Sequence, residues 1–158
     1  LKQLFPGTKV VVITRTAEEI FHSILEKEWF RSDVLREKNL HYPNRMIEGL
    51  KIPFWVDPKD DQLWFSMDEL SRVAYYYVMI NRTIGGIHEC ITIKYDDLID
   101  QPDHTVRKLV DSLGLSYGEK SQEIIQSIHR SKKNRNPQVL NNLEPKLREE
   151  VKFYSNLS

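Results

Sequence analysis

Arg15 and Ser23 are the two residues whose types and spacing most suggest chemistry. A guanidinium offers a planar fork of donors to a phosphate, and a serine hydroxyl eight positions later adds a neutral donor. A plainer reading uses the same residues: Arg15 pairs with Glu18 or Glu19, and Ser23 is one exposed hydroxyl on a helix. Residues 10–13, Val-Val-Val-Ile, form an apolar β-branched run of the kind that fills a strand buried on both faces. Thr16-Ala17-Glu18-Glu19 then reads as a capping box that starts a helix. Arg15 therefore stands on the hinge between strand and helix. In open α/β sheets ligands collect beyond the carboxyl ends of the strands, and this is such an end.

The elements around that hinge follow from periodicity. Ala17, Ile20, Phe21, Ile24 and Leu25 recur at helical spacing and predict a helix to about Arg31, with Thr16, Glu19 and Ser23 on its opposite face. Residues 32–62 lose that period, are punctuated by Pro43, Gly49, Pro53 and Pro58, and read as a long irregular excursion. Ser66-Met67-Asp68-Glu69 is a second capping box. It opens a helix with the inner stripe Leu70, Val73, Ala74, Tyr77 and Ile80, ended by Gly85-Gly86. Residues 88–95, "HECITIKY", make a second strand. A helix over 103–113 is stopped by Gly114, another runs from about 116 to Arg130, and a last amphipathic helix begins near Pro145. Strands separated by helices predict an α/β fold with parallel strands.

Composition narrows the classes. With 158 residues and 40% apolar content the chain can bury one core, and 1–158 reads as a single domain. Its 23 basic and 23 acidic residues leave no global basic field, which argues against nucleic acid or an anionic membrane as partner. One cysteine, Cys90, excludes an internal disulfide framework and fits a reducing compartment, so the cytoplasm is the expected location, with a lumenal domain of a secretory-pathway enzyme as the alternative. No apolar run approaches the roughly 20 residues of a membrane span, and no signal-peptide pattern is present. The sequence begins at Leu1, and two strands make a poor sheet. Both lead to the expectation of a piece of a longer protein.

The phrase "LFPGTKVVVITRTAEEIFHS", residues 4–23, resembles the 3′-phosphate-binding segment of the sulfotransferases that use 3′-phosphoadenosine 5′-phosphosulfate. That family has a strand, an arginine at its end and a serine eight residues on. Downstream, "ITIKYDDLIDQPDHTVRKLVDSLGL", residues 91–115, is similar to the family's next strand, its Tyr-Glu-Asp-Leu-like turn and a helix ending in Leu-Gly-Leu. The two segments stand in the family's order and cover about a third of the chain. The resemblance implies part of a P-loop-NTPase-like three-layer parallel sheet flanked by helices, with few of its strands in this chain. It implies that Arg15 and Ser23 hold the 3′-phosphate and that Tyr95 lies near the adenine. It also brings the basic segment Arg130, Lys132, Lys133 and Arg135 over the cofactor. Adenosine 3′,5′-bisphosphate is then the product, and a small-molecule or carbohydrate hydroxyl or amine the acceptor.

Each assignment has a structural counterpart. Tyr95 fits a strand-end tyrosine with its ring packed and its hydroxyl wet. Asp96 and Asp97 fit short acidic caps of the next turn. The basic segment fits a solvated helix end. The sequence departs from the family's Arg-Asp-Pro or Arg-Asn-Pro at Arg15-Thr16-Ala17, where Thr16 caps as Asp or Asn would. No Gly-rich phosphate loop occurs, and His22, His41, His88, His104 and His129 do not match the family's catalytic base, so none is assigned. A zinc site lacks ligand spacing. Trp55 is the best aromatic candidate for an acceptor wall, whereas the "AYYYVMI" stripe at 74–80 reads as core. Two other classes stay open: a non-catalytic nucleotide- or partner-binding module, and a nucleoside or small-molecule kinase relative, which needs a Walker loop.

Overall fold

The computed structural model describes residues 7–37, 44–87, 89–126 and 138–156. In chain order its elements are β1 (Val10–Thr14), α1 (Ala17–Glu26), α2 (Ser32–Arg36), β2 (Asn44–Ile47), β3 (Leu50–Pro53), a 3-10 turn (Pro58–Asp60), α3 (Asp61–Ser66), α4 (Glu69–Gly85), β4 (Cys90–Lys94), α5 (Tyr95–Asp100), α6 (Pro102–Leu113), α7 (Glu119–Gln126), a second 3-10 turn (Val139–Asn142) and α8 (Pro145–Ser155). The chain is α/β and mostly helical, with a two-stranded parallel sheet, β1–β4, and a separate antiparallel pair, β2–β3. Among the described residues, 7–16 and 82–126 make one compact unit and 17–81 and 138–156 another.

The first unit is organised by the parallel pair, in register from Val10↔Cys90 to Thr14↔Lys94. β-branched residues suit both pleated strands. Burial, however, departs from the two-sided expectation for residues 10–13. Val12 is 8% exposed, but Val11 is 37% and Ile13 55% exposed. Paired residues share a face of the sheet, so Ile13 and its partner Ile93 point the same way. Ile93 is 8% exposed because α6 packs along β4, and that cover does not extend to Ile13. α6 ends as expected: Gly114 sits at φ 73°, its amide donates to the Asp111 carbonyl at 2.9 Å, and the Leu115 amide donates to that of Val110 at 2.9 Å.

In the second unit one hydrophobic cluster joins Phe21 and Ile24 of α1, Leu50 and Ile52 of β3, Trp64 of α3, Val73 and Tyr77 of α4, and Val151 of α8. The described residues of 32–62 are not an irregular excursion. They contain α2, the β2–β3 hairpin and the start of α3. The hairpin turns through Glu48 at φ 47° and Gly49 at φ 77°, two left-handed residues in the manner of a type I′ turn. The Arg36 guanidinium donates to the Glu48 carbonyl at 2.7 Å, and Arg45 forks onto Asp61 at 2.9 and 2.5 Å. Such four-residue strands are too short to show a period, and tertiary contacts set them instead. α1 also stops at Glu26, followed by a turn with Glu28 at φ 54°. Glu19, expected on the polar face, is 2% exposed, so burial reaches around α1 beyond the apolar stripe. α4 is capped by Asp68 rather than Ser66. The Asp68 carboxylate accepts from the Ser71 amide at 2.8 Å, while Ser66 donates to the Leu63 carbonyl at 2.9 Å and closes α3.

Candidate functional site

β1 and β4 end level, at Thr14 and Lys94, so Arg15 and Tyr95 are the next residues out of two adjacent parallel strands. The topology thus brings together residues eighty positions apart in sequence. Cζ of Arg15 lies 4.5 Å from the centroid of the Tyr95 ring, inside the roughly 6 Å reach of a cation–π contact. Both residues are half-buried. The Thr14 hydroxyl donates across the strand pair to the Ile93 carbonyl at 3.4 Å and ties the two strand ends together. Just beyond, the buried Thr105 hydroxyl of α6 donates to the Asp97 carbonyl of α5 at 2.9 Å. Tyr95 starts α5, and Asp96 and Asp97 occupy its first turn, where acidic side chains suit the helix dipole. A guanidinium is a donor suited to an anion, and a tyrosine beside it offers a flat surface. This pair has the chemistry for a phosphorylated aromatic ligand.

Ser23 is half-buried on α1, in the second unit. Its part in a phosphate site rests on spacing and resemblance. Arg130, Lys132, Lys133 and Arg135 lie outside the described residues, as do His41, His88 and His129. A groove along β4 and α6, lined by Lys94, Asp97, His104 and Lys108, does not include Arg15 or Tyr95. Among the described residues no cluster of His, Cys, Asp and Glu is disposed to hold a metal ion, and no helix is long and apolar enough to cross a membrane.

Trp55, weighed as an acceptor wall, is partly buried and packs against the core cluster, to which the 74–80 stripe supplies buried residues. The Trp55 centroid is 5.1 Å from that of Trp64, 5.0 Å from Tyr76 and 5.7 Å from Phe30, mostly edge to face. Ala74, Tyr75, Tyr77 and Val78 are buried. The Tyr75 hydroxyl donates to Asp60 at 2.8 Å. Burial, reinforced by that bond, raises its pKa far above the ordinary tyrosine value.

Sequence reasoning missed Arg72. It is 1% exposed in α4, and its guanidinium donates to the carbonyls of Phe30 at 3.0 Å, Trp64 at 3.2 Å and Phe65 at 3.2 Å, and to the Ser32 hydroxyl at 2.9 Å. Burial lowers its pKa, opposed by the nearby Asp68 and Glu69. Only an arginine carries enough donors in one plane for this. The available signal was its place beside Val73, next to the inner stripe. An exposed counterpart ties down the chain after Gly114. Asp103 accepts from Arg107 at 2.7 Å and from the Tyr117 hydroxyl at 2.5 Å, with the Arg107 Cζ 3.8 Å from the Tyr117 centroid. Arg107 first and Tyr117 second hold the Asp103 carboxyl below the usual carboxylate range.

No protein-family model matches the chain, and neither a curated protein nor a solved structure matches it.

Proposed function

We propose that this chain is the nucleotide-binding portion of an α/β sulfotransferase, built on a P-loop-NTPase-like sheet, and that Arg15 binds the 3′-phosphate of 3′-phosphoadenosine 5′-phosphosulfate. The observation that carries this reading is Arg15 against Tyr95 at the level carboxyl ends of two parallel strands, where ligands of α/β sheets collect. The cation matches the phosphate that distinguishes this nucleotide from ATP. Ser23, Arg130, Lys132 and Lys133 enter the reading on the resemblance alone.

The nucleotide supplies the sulfuryl group that passes to an acceptor hydroxyl or amine. This chain's own contribution is to bind and orient the nucleotide end remote from the transferred group. A phosphosulfate cradle and an acceptor base are needed besides, and neither is among the residues that the resemblance matches. Calorimetric titration with adenosine 3′,5′-bisphosphate against adenosine 5′-monophosphate tests the reading. Selective binding of the bisphosphate is expected, and equal binding of the two, or none, overturns it.

A further inference from the structure

We propose that the outer edge of β4, with the wall of α6 beside it, is a docking groove for an extended acidic segment of a partner protein, which joins the sheet as a further strand. The inference goes beyond nucleotide binding and does not depend on Arg15.

Backbone, shape and charge carry it. Among the described residues the parallel sheet holds β1 and β4 alone, so β4 is paired along one side, from Cys90 to Lys94. The other side of such a strand presents its remaining amides and carbonyls outward, a template for another chain. β4 reads Cys-Ile-Thr-Ile-Lys, without a proline, and its ladder runs without a bulge, so that edge is continuous.

A groove of about 450 Å³ follows this edge. Its strand wall is four consecutive residues, Ile91 to Lys94, and no residue of β1 lines it. Successive side chains of a strand point to opposite faces, so a groove that touches all four lies along the edge and not on one face. Its other wall is α6, through His104 and Lys108, one turn apart. Four strand residues span about 13 Å, which suits an extended segment of the same length. Ile91 and Leu109 are half-buried in the groove and offer apolar surface to side chains that alternate with the acidic ones.

Charge selects the occupant. Lys94, Lys108 and His104 are exposed along the groove, against the one carboxylate of Asp97. Among the described residues neither lysine has an ion-pair partner. A second copy of β4 would bring another Lys94 and no carboxylate, which the groove's own lysines oppose. A lysine on an edge commonly repels unwanted strands. Toward an acidic strand the same charge is attractive, so it selects among partners.

The test uses a labelled, end-capped hexapeptide of alternating valine and glutamate, its valine–lysine counterpart, and a valine–glutamate peptide with alternate backbone nitrogens methylated. Fluorescence anisotropy reads their binding to the 158-residue chain. Strand addition predicts a dissociation constant below about 1 mM for the acidic peptide. The methylated peptide keeps every charge and loses ladder donors, so it should bind about tenfold more weakly. The lysine peptide should bind more weakly still, and Lys108→Glu should weaken the acidic peptide about two- to fivefold, with circular dichroism confirming the fold. Hydrogen exchange at the amides of Cys90 to Lys94 should slow when the acidic peptide is bound. Equal binding of the methylated peptide leaves charge attraction without strand addition and overturns the proposal. Equal binding of the lysine peptide, or no binding of the acidic one, overturns it as well. If the chain alone sediments as a dimer with its β4 amides protected, a second copy occupies the edge and the proposal falls.

Discussion

The two units of this chain use arginine in opposite ways. In the second, Arg72 is sealed at 1% exposure and spends its donors on three carbonyls and a hydroxyl. In the first, Arg15 is half-buried at the end of a strand and rests on a ring. A guanidinium whose fork is filled by its own fold has nothing left for a ligand, whereas one at the end of a strand stands where ligands of α/β sheets collect. The surroundings differ in the same sense. The second unit packs five aromatic rings, Phe30, Trp55, Trp64, Tyr75 and Tyr76, around one point, whereas the first leaves Val11 and Ile13 exposed on its sheet. Interior packing rewards shape, and a strand end offers access. On the proposed function, stability rests with the second unit and recognition with the first.

The largest expected effect tests the stability half. Trp64 is fully buried and meets Phe30, Trp55 and Tyr75 at ring separations of 5.1–5.8 Å. Trp64→Ala should cost about 3–5 kcal/mol of unfolding free energy. Denaturant titration reads it. A loss under about 1 kcal/mol would mean that the ring cluster is not the centre of the unit's stability.

Arg15→Ala tests the recognition half. It should remove a charge-assisted bond to phosphate, about 1.5–3 kcal/mol or roughly 10- to 100-fold in affinity for adenosine 3′,5′-bisphosphate. Unfolding stability should fall by about 0.5–1 kcal/mol, the range of the cation–π contact with Tyr95. Ser23→Ala should cost less, about 0.5–1.5 kcal/mol of binding, because a neutral hydroxyl contributes less. Should Arg15→Ala destabilise the fold and spare the ligand, the contrast with Arg72 collapses.

Much of this contrast was legible in the sequence, unevenly. β1, β4, α6 and α8 announce themselves through a β-branched run, an alternation, Gly114 and Pro145, all local signals. Arg15 was legible for the same reason, since the end of a strand is marked by its neighbours. Its meeting with Tyr95 was not, because the register of a parallel pair is fixed by the crossover and not by either strand. Arg72 stayed hidden because its partners, Phe30, Ser32, Trp64 and Phe65, lie on segments whose approach is tertiary. The β2–β3 hairpin was hidden by Pro53 and Pro58, which made ordered chain look like loop, although Glu48-Gly49 between Ile47 and Leu50 was a usable sign. Trp55 looked like a binding residue because its segment looked irregular. Its described neighbours are ordered, and the ring packs, partly buried, against the core cluster.

The pH profile of the second unit sharpens its side of the comparison. Tyr75 is buried and donates to Asp60, so its native pKa is raised above the unfolded value of 10.0. A raised pKa in an acid that is neutral when protonated means that the folded state holds the proton more tightly. Its contribution is fully present below pH 10 and falls as pH rises toward the native value. Tyr75→Phe should cost about 1.5 kcal/mol at neutral pH, for a bond to a charged acceptor. The gap between the two proteins should narrow above pH 10, as the unfolded tyrosine ionises. A gap that stays constant to pH 11 would show that the hydroxyl is not held by the fold.

The smallest effects come from two turns with left-handed backbone, one in each unit, and they have opposite signs. Glu48 has φ 47° in the hairpin turn and carries a side chain that the conformation disfavours. Asparagine tolerates that region, so Glu48→Asn should gain about 0.5–1 kcal/mol, with the bond from Arg36 kept because it is made to the backbone carbonyl. Gly114, at φ 73°, already has the residue its turn requires. A methyl group there would meet nothing within 4 Å, so Gly114→Ala isolates the conformational cost, about 1–2 kcal/mol, free of any clash. The test is sharp because neither change touches a side-chain contact. If both turns prove indifferent to substitution, the backbone at these points adapts. If Gly114→Ala destabilises the fold and also weakens bisphosphate binding, the end of α6 is coupled through Thr105 and Asp97 to the ring beside the arginine. The proposed site in the first unit then depends on the end of α6.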